Sequence, residues 1–241
     1  MEKQNLKSSL LKKISWLILF SIAMGYLESA VVVYLRAIYY PDGFAFPLTP
    51  IDSTIAITEF FREVATLVML VGIGILTGKS SAQRLGFFLL SFAIWDIFYY
   101  IFLYIILSWP ISLLTWDILF LVPIPWIGPV ITPIIVSILM IIFSYSLVYF
   151  NKKLKRLDWL IFILGSLIVV TSWVFDFLNF STKKAANGVW TISSKQGLFE
   201  SPVQYIPNSF NWYIFMVGIL LIALALFTYY VRNYKIYKNG N

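Results

Sequence analysis

The chain contains no histidine and no cysteine among its 241 residues. Without histidine, haem bound through an imidazole, histidine-containing zinc sites and Ser-His-Asp catalysis are excluded. Without cysteine, thiol chemistry and disulfide bonds are excluded as well. We therefore predict no cofactor, and specifically no haem and no zinc. If a metal binds, we expect Mg²⁺ or Ca²⁺ held by carboxylates.

Charged residues are also scarce. They make up 12% of the chain against 60% hydrophobic residues, and the mean hydropathy is +0.85. A water-soluble domain of this length does not have such a composition. The formal net charge is +7, but the cations separate apolar segments instead of following one face, so nucleic acid is not a predicted partner. The composition predicts an all-α integral membrane protein surrounded by lipid.

Apolar stretches of about 20 residues, long enough for a helix to cross a bilayer, recur along the chain. The six predicted spans are 14–39, 57–76, 85–108, 130–150, 159–180 and 212–231. We expect residues 1–241 to form a single membrane domain. Lys12 and Lys13 before the first span are reminiscent of a secretory signal peptide. The length of that span, its internal Glu28 and the missing cleavage pattern favour a retained helix.

The cations between the spans are distributed unequally. If all six spans cross, thirteen fall on one side: Lys3, Lys7, Lys12, Lys13, Lys79, Arg84, Lys152, Lys153, Lys155, Arg156, Arg232, Lys235 and Lys238. Only Lys183, Lys184 and Lys195 fall on the other side. Because cytoplasmic loops are enriched in Lys and Arg, we expect a multi-pass protein of the cell membrane with both termini in the cytoplasm.

Two connections on the outer side are unusual. Residues 109–128 carry three tryptophans, three prolines and one charge, Asp117. They are too apolar for a free loop and too short to span, so we predict a short interfacial or re-entrant helix, either a plain connector or a lid. Residues 181–211 are polar, and Asn187-Gly188 between short β-prone runs predicts a small hairpin or ordered cap.

Seven ionisable residues lie within the spans or at their outer margins. They are Glu28, Arg36, Glu59, Arg62, Glu63, Asp96 and Asp176. An unpaired charge in hydrocarbon is costly, so these side chains are expected to face protein and to meet in one buried site. We predict that the first, second, third and fifth spans enclose this site, that it opens to the outside, and that it lies beneath residues 109–128.

Glu59, Arg62 and Glu63 are spaced i, i+3 and i+4 on the second span. One guanidinium between two carboxylates can satisfy both through charge-assisted hydrogen bonds. A substrate-binding role competes with a plain salt bridge near the headgroups, because long side chains at the end of a span can reach the interface.

Glu28 lies deeper in the first span. Ser21, Gly25 and Ser29 follow one another at four-residue intervals and predict a face for close helix packing. Glu28 borders this face and should point into protein, either as a catalytic group or as a structural partner for an arginine. Arg36, two turns further on, is expected to reach the same region.

Asp96 is the deepest acid and the first candidate for a proton-exchanging group. Tyr99 and Tyr100 follow at i+3 and i+4, which predicts phenolic donors beside the Asp96 carboxylate. The competing interpretation is a hydrogen-bonded aspartate that braces helices.

Three further polar residues are candidates for substrate binding. Asp176 and Asn179 form a polar strip on the fifth span, and Asp117 is the single charge of the outer segment 109–128. An ordinary polar cluster at the end of a helix explains the strip equally well. The fourth and sixth spans carry no charge and are expected to be scaffold.

Three hypotheses for function are consistent with these patterns. The first is a membrane enzyme in which Asp96 and Glu28 act as acid and base on a lipid or isoprenoid substrate, while Arg62 or Arg36 holds an anionic head group. The second is a proton- or cation-coupled transporter that uses the same carboxylates. The third is a non-catalytic subunit or assembly factor whose buried charges hold helices together.

Overall fold

The computed structural model describes residues 2–186 and 205–239, and its main elements are six long helices. The helices are α1 (Glu2–Tyr39), α2 (Ser53–Thr77), α3 (Ser81–Leu107), α4 (Ile131–Phe150), α5 (Arg156–Ala186) and α6 (Trp212–Asn239). All six are long and apolar enough to cross a membrane. The predicted all-α membrane bundle is therefore confirmed, with α1, α5 and α6 extending furthest beyond the predicted ends.

Local chemistry explains several of the helix ends. Asp52 precedes α2 and accepts hydrogen bonds from the backbone N–H groups of Thr54 (2.8 Å) and Ile55 (3.4 Å). Ser80 caps α3 in the same way through the N–H of Gln83. These side chains satisfy donors that the first helical turn leaves without partners. At their other ends, α3 stops at Ser108 and α4 at Asn151, both in the left-handed conformation.

The termini lie at one end of the bundle, which we call the terminal end. There the early turns of α1 pack with residues of α2, α3 and α4 around Leu17, Phe87 and Val148. Arg232 near the end of α6 donates two hydrogen bonds to Asp158 at the start of α5. The opposite end of the bundle carries residues 109–128, and we call it the hairpin end.

Residues 109–128 form a β-hairpin, so the predicted short helix is wrong. Strand β1 (Trp116–Phe120) pairs antiparallel with β2 (Trp126–Pro129), and Asp117 lies opposite Gly128. Aromatic and β-branched residues favour strands, and the prolines in the connection remove helical donors. The hairpin predicted at Asn187-Gly188 lies outside the described residues.

Close contacts between helices occur where glycine allows them. A Cβ at Gly25 would lie 2.9 Å from the backbone oxygen of Trp95, so α1 rests directly on α3. The predicted small-residue face of α1 is therefore confirmed. Gly165 and Gly218 bring α5 and α6 together in the same way.

The helix α3 is central to one half of the bundle. It packs against α1, α2 and α4, whereas α1 and α2 do not pack closely on each other. Side chains must therefore bridge the space between α1 and α2. The other half, α5 with α6, packs on α4 through α6. At the hairpin end, Trp126 joins the halves, because it packs in one cluster with Trp95 of α3 and stacks on Trp173 of α5.

Candidate functional site

Arg62 joins α1 to α2 at the hairpin end. Its Nη1 donates to Oε2 of Glu28 at 2.5 Å, and its Nε donates to Oε2 of Glu59 at 2.8 Å. Glu28 thus has an arginine partner from another helix, as one of the two interpretations of the sequence required. The spacing on the second span predicts that Arg62 binds Glu59 and Glu63, but in the structure Glu28 takes the place of Glu63.

Glu63 instead holds the hairpin. Its Oε2 accepts a hydrogen bond of 2.7 Å from the backbone N–H of Leu121, just after β1. A carboxylate that accepts from a backbone amide forms a charge-assisted bond, so α2 fixes the tip of the hairpin over the bundle. The hairpin therefore covers the charged residues, as predicted for this segment, and its movement as a lid remains a prediction.

Arg36 and Asp117 form a second charged pair. Nη2 of Arg36 lies 3.5 Å from Oδ1 of Asp117, and the Tyr100 hydroxyl donates to Oδ2 at 3.1 Å. The guanidinium carbon of Arg36 lies 3.7 Å from the ring centre of Trp109 and 4.6 Å from that of Phe44. Arg36 and Asp117 are both buried, so aromatic faces and an acid replace water around this cation.

Asp96 has a different environment. Its Oδ2 accepts a 2.9 Å hydrogen bond from the hydroxyl of Ser137 on α4. Among the described residues it has no cationic partner. Its Oδ1 has no protein partner there either, yet it is not sealed off, so a water molecule can reach it. Asp96 is thus a carboxyl group in the bundle with one neutral donor and one open oxygen.

The predicted donation from tyrosines to Asp96 is wrong. The hydroxyl of Tyr100 reaches Asp117 on the hairpin, and its ring packs 6.4 Å from that of Trp109. The hydroxyl of a tyrosine lies farther from the helix than the carboxylate of an aspartate does. A tyrosine at i+4 therefore need not donate a hydrogen bond to that aspartate.

Tyr99 connects the two charged groups. Its hydroxyl lies within electrostatic range of Asp117 and Arg36 on one side, and of Glu28 and Arg62 on the other. No described residue accepts or donates a hydrogen bond to this hydroxyl. We use the name polar cluster for the following nine residues, among which Asp96 shares no hydrogen bond or ion pair with the other eight in the described part of the chain: Glu28, Arg36, Glu59, Arg62, Glu63, Asp96, Tyr99, Tyr100 and Asp117.

Asp176 lies apart from the polar cluster. Its Oδ2 accepts hydrogen bonds from the hydroxyl of Tyr205 (2.6 Å) and the backbone N–H of Asn208 (3.3 Å). In the described part of the chain it fastens the segment before α6 to α5. Asn179 is exposed, and its backbone carbonyl oxygen accepts a hydrogen bond from the Thr182 hydroxyl on the same helix. The predicted contribution of the fifth span is thus replaced by Ser137 of the fourth.

Sequence reasoning missed Ser137, which it assigned to a scaffold helix. The signal was present in its position, because Ser137 is a buried polar residue in an otherwise apolar stretch. Counting about 1.5 Å per residue from the hairpin ends of α3 and α4 gives Asp96 a depth of roughly 17 Å and Ser137 one of roughly 9 Å, so depth alone would not have paired them. The role of the Leu121 amide could not have been predicted either, because it depends on the hairpin.

The charges of the polar cluster do not balance. Five acids, Glu28, Glu59, Glu63, Asp96 and Asp117, accompany two cations, Arg36 and Arg62. Burying such an excess of one charge in a low-dielectric interior is costly. No three acidic side chains within residues 10–182 and 205–238 are grouped so as to hold a metal ion.

No family model matches this chain, and neither the curated proteins nor the solved structures contain a significant match. The function is therefore inferred from the polar cluster itself.

Proposed function

We propose that this protein is an integral membrane enzyme that performs acid-base chemistry on a lipid or isoprenoid substrate. Asp96 is the proton-transferring group, and Glu28 is the second carboxyl group of the site. The observation that carries the proposal is the state of Asp96: a membrane-embedded carboxyl group with no cationic partner among the described residues and one oxygen within reach of a small molecule. A functional acid needs both properties.

Two buried indole groups support a bound substrate. Trp95 and Trp126 belong to one cluster with Met24, Leu70 and Phe120, and neither indole N–H has an acceptor among the described residues. Buried donors in proteins are nearly always satisfied, so each such exception calls for an acceptor beyond the described residues. An apolar molecule with an oxygen acceptor fits this description.

The proposed location is the cell membrane, with the terminal end in the cytoplasm. Support comes from the thirteen cations that the sequence places at the terminal end. The polar cluster then faces the outer leaflet. A lipid or isoprenoid substrate could enter there without crossing the membrane, and many side chains of α1 and α2 that point away from the bundle are apolar.

A non-catalytic subunit or assembly factor is the second candidate. Its support is the local pairing of most charges, since Glu28, Glu59, Glu63 and Asp117 all have close internal partners. Pairs of this kind can serve helix assembly alone. Asp96 is the residue that separates the two proposals.

The test compares Asp96→Asn with Asp158→Asn, a matched replacement at the terminal end. Cells producing equal amounts of wild-type protein or either variant are compared by mass spectrometry of their lipids and isoprenoids, with cells without the protein as reference. A general acid contributes about 10²–10⁴-fold to rate, so Asp96→Asn should abolish any change caused by the wild type, and Asp158→Asn should retain it. If the Asp96→Asn protein folds and its cells have the same lipid profile as cells with the wild type, the enzyme proposal is contradicted.

The same experiment addresses the second candidate. If Asp96→Asn combined with Glu28→Gln lowers the melting temperature or the recovery of a partner, and the lipid profile never depends on the protein, the subunit proposal is favoured.

A further inference from the structure

Arg36 is held in an aromatic enclosure near the hairpin end of α1. The ring of Trp109 faces its guanidinium at 3.7 Å and the ring of Phe44 lies at 4.6 Å. The residue is only 8% exposed. Aromatic faces stabilise a cation and fix its plane but accept few of its hydrogen bonds.

Most donors of Arg36 have no partner among the described residues. Its single hydrogen bond within the described residues is the 3.5 Å contact from Nη2 to Asp117, at the long limit for such a bond. Nε and Nη1 have no protein partner there, and neither is sealed from a water molecule. A planar guanidinium with two open donors matches the two oxygens of a phosphate or carboxylate group.

Arg62 is a poorer candidate for the same task. Glu28 and Glu59 occupy its Nη1 and Nε at 2.5 and 2.8 Å. With both acids ionised, this trio carries a net charge of about −1, which repels an anion. Arg36 has one acid partner, so its pair is neutral.

We infer that Arg36, with Trp109 and Phe44 around it, is a binding site for an oxyanion, namely the phosphate or carboxylate head of an amphipathic substrate. The inference rests on the proposed function for the apolar chain of the ligand, but the anion site stands on the geometry of Arg36. The ligand head would lie at the hairpin end, and its chain would extend into the bundle toward Asp96.

The pair with Asp117 should link anion binding to pH. Burial raises the pKa of the Asp117 carboxyl to about 6, although Arg36, the Tyr100 hydroxyl and the Ile118 N–H oppose the shift. The titratable and charged groups facing Asp117 are Arg36 from α1 and Asp96, Tyr99 and Tyr100 from α3.

The direction of the pH effect follows from charge. Below this pKa, Asp117 is neutral and Arg36 is a cation without a counter-charge, so an anion binds more tightly. Above it, the Asp117 carboxylate competes with the ligand for the same guanidinium. Affinity for an anion should therefore fall as pH rises through about 6.

The experiment titrates the full-length protein in a neutral detergent by calorimetry. The probe is dihexanoyl phosphatidylglycerol, whose phosphodiester keeps one negative charge throughout. We expect about tenfold tighter binding at pH about 5 than at about 7.5. Asp117→Asn should bind about tenfold more tightly than the wild type at the higher pH and should lose the pH dependence. Arg36→Gln should weaken binding about tenfold or more.

Controls separate the outcomes. Asp158→Asn should bind the probe as the wild type does. Dihexanoylglycerol has no phosphate, so its affinity should not differ between the wild type, Asp117→Asn and Arg36→Gln.

If dimethyl phosphate binds as tightly as the probe, the site takes a free anion, and the inference that the ligand is amphipathic is overturned. If Asp117→Asn binds the probe no more tightly than wild type, the whole inference is overturned, even when Arg36→Gln does not fold. The anion site is judged by binding of the probe and the enzyme proposal by the lipid profile of Asp96→Asn cells, so failure of one is recognised separately from failure of the other.

Discussion

At the scale of single residues, two arginines bind the acids of the polar cluster, and they differ in the number of acids that they bind. Arg62 satisfies two carboxylates from two helices, whereas Arg36 shares one distant carboxylate and relies on aromatic rings. Because of this difference, we propose that Arg62 joins helices and that Arg36 binds the ligand. Asp96, bonded to Ser137, and Glu63, bonded to the Leu121 amide, have no ion pair with a cation among the described residues.

Replacement of Arg62 tests its structural role. Arg62→Gln leaves Glu28 and Glu59 without a counter-charge, and breaking a buried pair costs about 3–5 kcal/mol. Because the Arg62 side chain is 22% exposed, we expect roughly 2–3 kcal/mol after allowing for screening, seen as a lower melting temperature in detergent. Arg156→Gln, at an exposed position, is the control and should change little. Adding Glu28→Gln and Glu59→Gln to Arg62→Gln should restore part of the loss, and no restoration would argue against the pairing.

At the scale of elements, the bundle depends on where helices touch backbone to backbone. Gly74 of α2 faces α3, and a Cβ there would lie 2.8 Å from the backbone oxygen of Arg84. Gly72, on the same helix, faces open space, because a Cβ added there would meet nothing within 4 Å. The hairpin is likewise fitted to its neighbours, because a Cβ at Gly128 would meet Trp173 at 2.9 Å.

The two glycines of α2 form a matched pair for a packing test. Gly74→Ala should push α2 away from α3 and reduce the free energy of unfolding by about 1–3 kcal/mol. Gly72→Ala should be neutral or slightly stabilising, since alanine is the better helix former. Thermal unfolding of both variants in the same detergent measures the difference. Equal melting temperatures would mean that α2 does not rest on α3 at Gly74.

At the scale of the whole molecule, six crossings place both termini at one end and the polar cluster at the other. The terminal end holds an internal pair, Asp158 with Arg232, and the cations that flank the spans. The hairpin end holds an excess of acids over arginines. This asymmetry along the bundle axis is the basis for placing the site at the outer leaflet.

Sidedness can be tested directly because the chain has no cysteine. Single cysteines are introduced at exposed positions, Lys79 and Lys152 at the terminal end, and Asp42 and Ser112 at the hairpin end. In intact cells a membrane-impermeant maleimide should label the Asp42→Cys and Ser112→Cys proteins. The Lys79→Cys and Lys152→Cys proteins should react only after the membrane is opened. The reverse pattern would place the polar cluster in the cytoplasm and contradict the proposed location.

Parts of the site were readable from the sequence because helix geometry is regular. The spacing of Glu59 and Arg62 predicted their contact, and the small residues around Gly25 predicted the approach of α1 to α3. Periodicity carries no information about partners on other elements. It therefore gave the wrong partner for Tyr100 and missed the bond from Ser137 to Asp96.

The sequence by itself determined the class of this protein, because hydrocarbon demands long apolar helices and their composition is visible residue by residue. It also determined which chemistry is excluded and which side chains are too costly to face lipid. Only the tertiary structure decided the pairing of these side chains, since contacts between Glu28 and Arg62, or Arg36 and Asp117, depend on how helices and hairpin pack. It likewise decided that Trp116–Phe120 and Trp126–Pro129 form strands, because the backbone groups of a strand find their partners only when a second strand lies beside it.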